Sequence, residues 1–194
     1  MPTFDELLAL HRETTDSAGR VILAAADADL TVPTPCDGWD LADLLSHIIG
    51  EQEGFTLAID HGNAPKQAYA GPTVTTDNLP RLWQTSADGL AAAFARARPD
   101  DPVHLAQLDS DVTAELALGM QLLDTAVHGW DVATSLGRTY RPTDEVVTYV
   151  LDFARLIAAR PGGTPGVFSA ANAETGHDPW HDALRLLGRR PDGR

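Results

Sequence analysis

Cysteine is nearly absent from this chain of 194 residues, with Cys36 standing alone. That excludes an internal disulfide and a thiolate-rich zinc site, so any protein-held metal has to draw on His, Asp or Glu. Long hydrophobic runs are missing as well. No stretch approaches the roughly 18 uncharged apolar residues that span a bilayer. The start from Met1 to Glu6 is acidic and lacks the basic and apolar regions of a signal peptide, so a cytoplasmic location is expected. Basic residues are scarce: 14 Lys and Arg stand against 28 Asp and Glu, a formal net charge of -14. A field of that sign repels phosphate backbones and anionic lipids, which argues against nucleic-acid and membrane partners. It does not bar a small anionic substrate, because a local metal cation outweighs distant surface charge.

The rest of the composition is ordinary. With 43% hydrophobic and 22% charged residues, the chain reads as one domain over 1–194, large enough to bury a core without staples. Apolar spacing predicts helices over 3–28, 41–59, 79–97, 113–136 and 143–159, with a short one at 181–187. Asp40, followed by Asp43, reads as the N-cap of the second, and Gly137 as the left-handed cap of the fourth. The stretch 31–39 and the Pro-, Gly- and Thr-rich 61–78 read as loops. Residues 99–111 look irregular, with an extended piece at 103–108, and Pro161 to Gly166 breaks the fifth helix. Helices joined by loops, with minimal strand content, predict an all-α bundle.

Two of the seven histidines lie inside strongly apolar helices. His47 sits among Leu44, Leu45, Ile48 and Ile49, and His128 follows Leu122, Leu123, Ala126 and Val127. Asp124 precedes His128 by four residues, so the two side chains project from one side of a helix and can converge on one point. A carboxylate in an apolar stretch costs free energy unless compensated, and a divalent cation compensates it well. Two imidazoles and one carboxylate form a three-ligand site with an open position. From spacing alone a second reading stands beside this one, in which the histidines are core residues and the Asp–His pair is a helix hydrogen bond. Glu51, four residues after His47, is a candidate further ligand, or else a solvated residue near the helix end. His11, His61, His104, His177 and His181 read as surface residues.

The motifs also carry a resemblance. Thr34-Pro-Cys-Asp-Gly-Trp-Asp40 with Leu44-Leu-Ser-His47, and Leu123-Asp-Thr-Ala-Val-His-Gly-Trp-Asp-Val-Ala133, resemble the two signatures of the mycothiol-dependent maleylpyruvate isomerase metal-binding domain family. The ending Leu184-Arg-Leu-Leu-Gly-Arg-Arg190 is similar to chains of its actinobacterial metal-binding branch. The resemblance implies a DinB-like four-helix bundle with an additional helix and long loops, and a metal on His47, Asp124 and His128. It implies zinc, with nickel as another ion of the superfamily, and mycothiol as cosubstrate. Two departures accompany it: the isomerase uses Glu where this chain has Asp124, and it carries a further C-terminal domain that these residues do not resemble.

Two functions follow as expectations. The first is a thiol transferase or isomerase in which the open metal position holds a low-molecular-weight thiol as thiolate for attack on a small electrophile. The second is a non-catalytic metal-binding or regulatory bundle, monomeric or homodimeric. Around the site, Cys36 reads as a pocket wall, Trp39 and Trp130 as packing, and Arg138 and Arg141 as candidate contacts for a substrate carboxylate.

Overall fold

The computed structural model describes residues 2–160 and 170–192. They fall into two compact units, one spanning Pro2–Tyr140 and the other starting at Arg141.

The first unit is built on four helices: α1 (Phe4–Leu23), α2 (Leu41–His61), α3 (Leu79–Arg96) and α4 (Ala114–Ser135). Capping chemistry sets their starts. Thr3 and Glu6 exchange hydrogen bonds in a capping box that opens α1. At α2 the Asp40 carboxylate accepts the Asp43 N–H (2.9 Å) and Asp43 accepts the Asp40 N–H (3.3 Å), as the sequence predicts. Thr113 caps α4 by accepting the Leu116 N–H. Gly62 and Gly137, at φ 77° and 63°, follow the ends of α2 and α4 in the left-handed region. α1 stops earlier than its periodicity suggests, because Ala24–Asp27 tightens into a 3-10 turn that lets the last carbonyls find closer partners.

α2 and α3 run in the same direction, since Ser86 donates to Gln52 and Gly89 faces Thr56 further along both. α1 runs opposite to α3, with His11 against Phe94 at one end and Gly19 against the Trp83 indole at the other. The core between them includes Ile22, Leu41, Leu44, Leu45, Ile48, Ile49, Leu79 and Trp83. His11 is a correction to the sequence reading. It is buried on the inner face of α1, its ring edge-on to Phe94 at 5.9 Å.

The Pro- and Gly-rich connection after α2 contains a 3-10 turn at Lys66–Tyr69 and lies flat on that helix. Ser46 Oγ donates to the Pro72 carbonyl at 2.7 Å, and a Cβ placed on Gly50 would stand 2.5 Å from the Gly71 nitrogen. Only glycine allows backbones this close. The extended piece expected at 103–108 within an irregular 99–111 is in part β1 (Pro102–Leu105), which pairs with β2 (Ser110–Thr113) in an antiparallel hairpin that the sequence reading does not foresee, matching Val103 with Val112 and His104 with Asp111. Its turn carries no Asn-Gly or Asp-Gly signal and instead places Asp109 at φ 47°, so it is hard to read from sequence. The His104 N–H donates to the Gly62 carbonyl, fastening the hairpin to the end of α2.

The second unit holds α5 (Asp144–Ala158) and α6 (Pro179–Leu186). Asp182 organises it, accepting the backbone N–H of Thr175 and Gly176 and the Arg185 guanidinium. Arg141 is committed to Asp178 at 2.9 Å, which weakens its reading as a substrate contact. The helix break expected from Pro161 to Gly166 lies outside the described residues. Among those residues no helix is long and apolar enough to cross a membrane.

Candidate metal centre

α2 and α4 bring the three predicted ligands together. His47 Nε2 lies 4.0 Å from Asp124 Oδ1, and His128 Nε2 lies 3.4 Å from the same oxygen. The imidazole rings meet edge to face with centroids 5.0 Å apart. All three side chains offer a ligand atom within 4.8 Å of the other two. The apolar residues that flank His47 hold α2 in place by themselves, since burying a Leu or Ile side chain contributes about 1.5–3 kcal/mol. Packing of these residues thus helps to position the three donors.

The donor set fits a divalent ion of the zinc class. Metal–nitrogen and metal–oxygen bonds of about 2.0–2.2 Å in a tetrahedron separate ligand atoms by roughly 3.4 Å. The Asp124–His128 pair already has that spacing, and His47 stands somewhat wider at 4.0 Å from Asp124. The shorter Asp124 side chain therefore does not prevent convergence. His47 is the exposed edge of the group at 28%, against 7% for His128, so the open side of the site faces solvent past His47.

Behind His128 stands a residue that the sequence reading did not single out. Asp131, completely buried, accepts from His128 Nδ1 at 2.9 Å and from the Cys36 thiol at 3.4 Å, both on Oδ2. A carboxylate on Nδ1 fixes the ring and points the Nε2 lone pair at the site, the usual support of a metal-ligating histidine. Its signal was present in the spacing, as an acid three residues after His128 on the same helix face, but burial is what distinguishes it from a surface acid. Without an ion His128 holds a proton well above its ordinary range. Burial opposes that proton, but the Asp124 charge and the bonds to Asp124, Asp131 and Cys36 outweigh it. The Nε2 proton and a cation compete for one position.

Cys36, His128 and Asp131 form a second group of close ligand atoms. In it both His128 and Cys36 donate to the fully buried Asp131, so the group reads as the support of the first. Trp39 packs its ring 4.8 Å from that of His47, in keeping with a packing role.

Glu51 departs from the solvated reading. It is buried, its Oε2 accepts from Gln107 Nε2 at 2.7 Å, and its Oε1 lies 3.9 Å from His47 Nδ1. Burial, and then the Asp124 charge, pushes its carboxyl up to about 8. It faces the nitrogen of His47 that the three-donor group does not use, and it offers no atom to that group. Of the remaining histidines, His61 and His177 are exposed, while the half-exposed His104 and His181 pair with Asp111 and Asp192.

Comparison with known proteins agrees with this architecture. The family model described as the mycothiol maleylpyruvate isomerase N-terminal domain matches residues 10–133, a span that contains His47, Asp124, His128 and Asp131. The chain belongs to this family. Two uncharacterised proteins of Mycobacterium tuberculosis, from strains H37Rv and CDC 1551, are each 26% identical over 164 residues, 84% of this chain and of theirs. Among solved structures, the mycothiol-dependent maleylpyruvate isomerase and a histidine-to-alanine mutant of it each superpose with a TM-score of 0.62. Each is 20% identical and covers 79% of this chain and 70% of its own. At that identity the likeness establishes the DinB-like helical fold.

Proposed function

We propose that the protein binds one divalent metal ion, zinc or nickel, through His47, Asp124 and His128, and acts as a thiol-dependent transferase or isomerase on a small electrophilic substrate. The observation that carries the reading is the convergence of three donors from two helices on one point, with Asp131 behind His128. Family membership and the fold shared with a mycothiol-dependent enzyme favour mycothiol as the thiol. A divalent ion at this position would lower the pKa of a coordinated thiol enough to leave it as the nucleophilic thiolate near neutral pH. The protein's own part is positional. His47 and Asp124 form the accessible edge, Asp131 orients His128, and the apolar walls of α2 and α4 limit water around the donors. Glu51 faces Nδ1 of His47 and does not join the three-donor group, which supports an open position rather than a closed four-ligand structural site.

Cobalt substitution tests the assignment. Added mycothiol should give the Co²⁺ form a sulfur-to-cobalt charge-transfer band that strengthens with pH and then levels off, because ligation needs the thiolate. The His47→Ala chain should show none. A spectrum that no small thiol changes would remove the thiol chemistry and leave a non-catalytic metal protein.

A further inference from the structure

We propose that Glu51 is the outer-sphere partner of His47 and that Gln107, carried by the β-hairpin, holds it there, so that the hairpin sets how tightly the site retains its ion. This rests on the metal reading above. Histidines that ligate metals generally present their second nitrogen to a carboxylate or carbonyl, which raises ligand basicity and fixes the ring. His128 has that partner in Asp131. On His47 the equivalent nitrogen is Nδ1, and the acid facing it at 3.9 Å is Glu51, one turn further along α2.

A buried carboxylate is a costly way to fill space, and an apolar side chain would serve packing better. What keeps Glu51 in place comes from outside the helices. Gln107 lies in the turn of the hairpin between Leu105 and Ser110, and its carboxamide donates to Oε2 at 2.7 Å, leaving Oε1 toward His47. A neutral donor suits this task, since Lys or Arg here would repel the ion. The buried Tyr69 hydroxyl, which has no hydrogen-bond partner among the described residues, supplies a further polar group near Glu51. The hairpin itself is fixed through the His104–Gly62 backbone bond. An otherwise helical unit therefore has a reason to carry two short strands: they deliver one amide to the outer face of a ligand.

The test is a Zn²⁺ competition titration against a chromophoric chelator on the full chain, with Glu51→Gln, Gln107→Ala and the double variant. Glu51→Gln, nearly isosteric, should bind roughly 10–100-fold more weakly while still taking up one ion at saturation and keeping the wild-type Co²⁺ d–d spectrum. Gln107→Ala should weaken binding by several-fold, about the effect of one hydrogen bond. The double variant should be no weaker than Glu51→Gln alone, because Gln107 acts through Glu51. Unchanged affinity in Glu51→Gln, strictly additive losses, or an altered d–d spectrum that makes Glu51 a direct ligand would each overturn the proposal while leaving the metal site standing. A wild-type chain that takes up no ion would remove both.

Discussion

Replacing His128 with alanine is expected to abolish stoichiometric metal binding, with affinity falling by at least about 1,000-fold, or roughly 4 kcal/mol. The variant loses one of three ligands, and it also removes a hydrogen-bond donor from the buried Asp131 carboxylate. His47→Ala should lose the ion similarly, since it leaves two donors on a single helix. Asp131→Asn should be milder, about 10–100-fold, because it disturbs the orientation of a ligand and not its presence. Equilibrium dialysis with metal analysis separates these outcomes. Helical circular dichroism should persist in the His47 variant, because the flanking Leu44, Leu45, Ile48 and Ile49 remain in the core. Full stoichiometry in both histidine variants would place the ion elsewhere.

The second large effect belongs to His11 and to pH. Burial lowers this imidazole from an ordinary 6.5 to about 4, and its Nε2 has no hydrogen-bond partner among the described residues. Below 6.5 the unfolded chain takes up a proton that the folded chain refuses until about 4. The stability associated with neutral His11 is thus fully present above pH 6.5 and is lost as pH falls to about 4. Linkage makes the loss about 3 kcal/mol. Glu51 works in the opposite sense, since a carboxyl raised to about 8 makes folding take up a proton as pH falls through that value. The measurement is therefore a difference: urea midpoints of wild type and His11→Leu, both under chelator, across pH 7.5 to 4. The variant should lack the part of the acid loss that His11 causes. Parallel curves over that window would show that His11 does not stay neutral in the folded state. Asp178 and Asp182, whose carboxyls are held below their usual range, contribute a separate loss at lower pH.

The helices and the three proposed ligands were legible in the sequence for one reason. Helical periodicity turns spacing into direction, so Asp124 and His128 could be placed on one side of α4 and His47 on an apolar stripe of α2 before any packing was known. What escaped was supplied by distant chain. His11 lies on the same buried face of α1 as Leu7, Ala18 and Ile22, but the polar Arg12, Glu13, Thr14 and Thr15 that follow it mask that stripe, and Phe94 arrives from α3 to cover it. Glu51 looks like an ordinary solvated acid in sequence until Gln107 reaches it across 56 residues. Asp131 lay inside a recognised motif yet carried no mark of its burial. Local rules place side chains on faces. Which faces are covered is decided by long-range contacts that spacing does not encode.

The glycine contact between α2 and the segment after it bears on motion. Composition marks residues 61–78 as a pliable connection, and such loops usually open on their own at little cost in free energy. Here Gly50 receives the Gly71 backbone directly, and Ser46, the neighbour of His47, holds the Pro72 carbonyl. To lift, the segment has to give up backbone contact and a hydrogen bond beside a proposed ligand. Its amides near Gly71 should then exchange with solvent on the timescale of the helix beneath them, and the wall beside His47 would be as permanent as α2 itself.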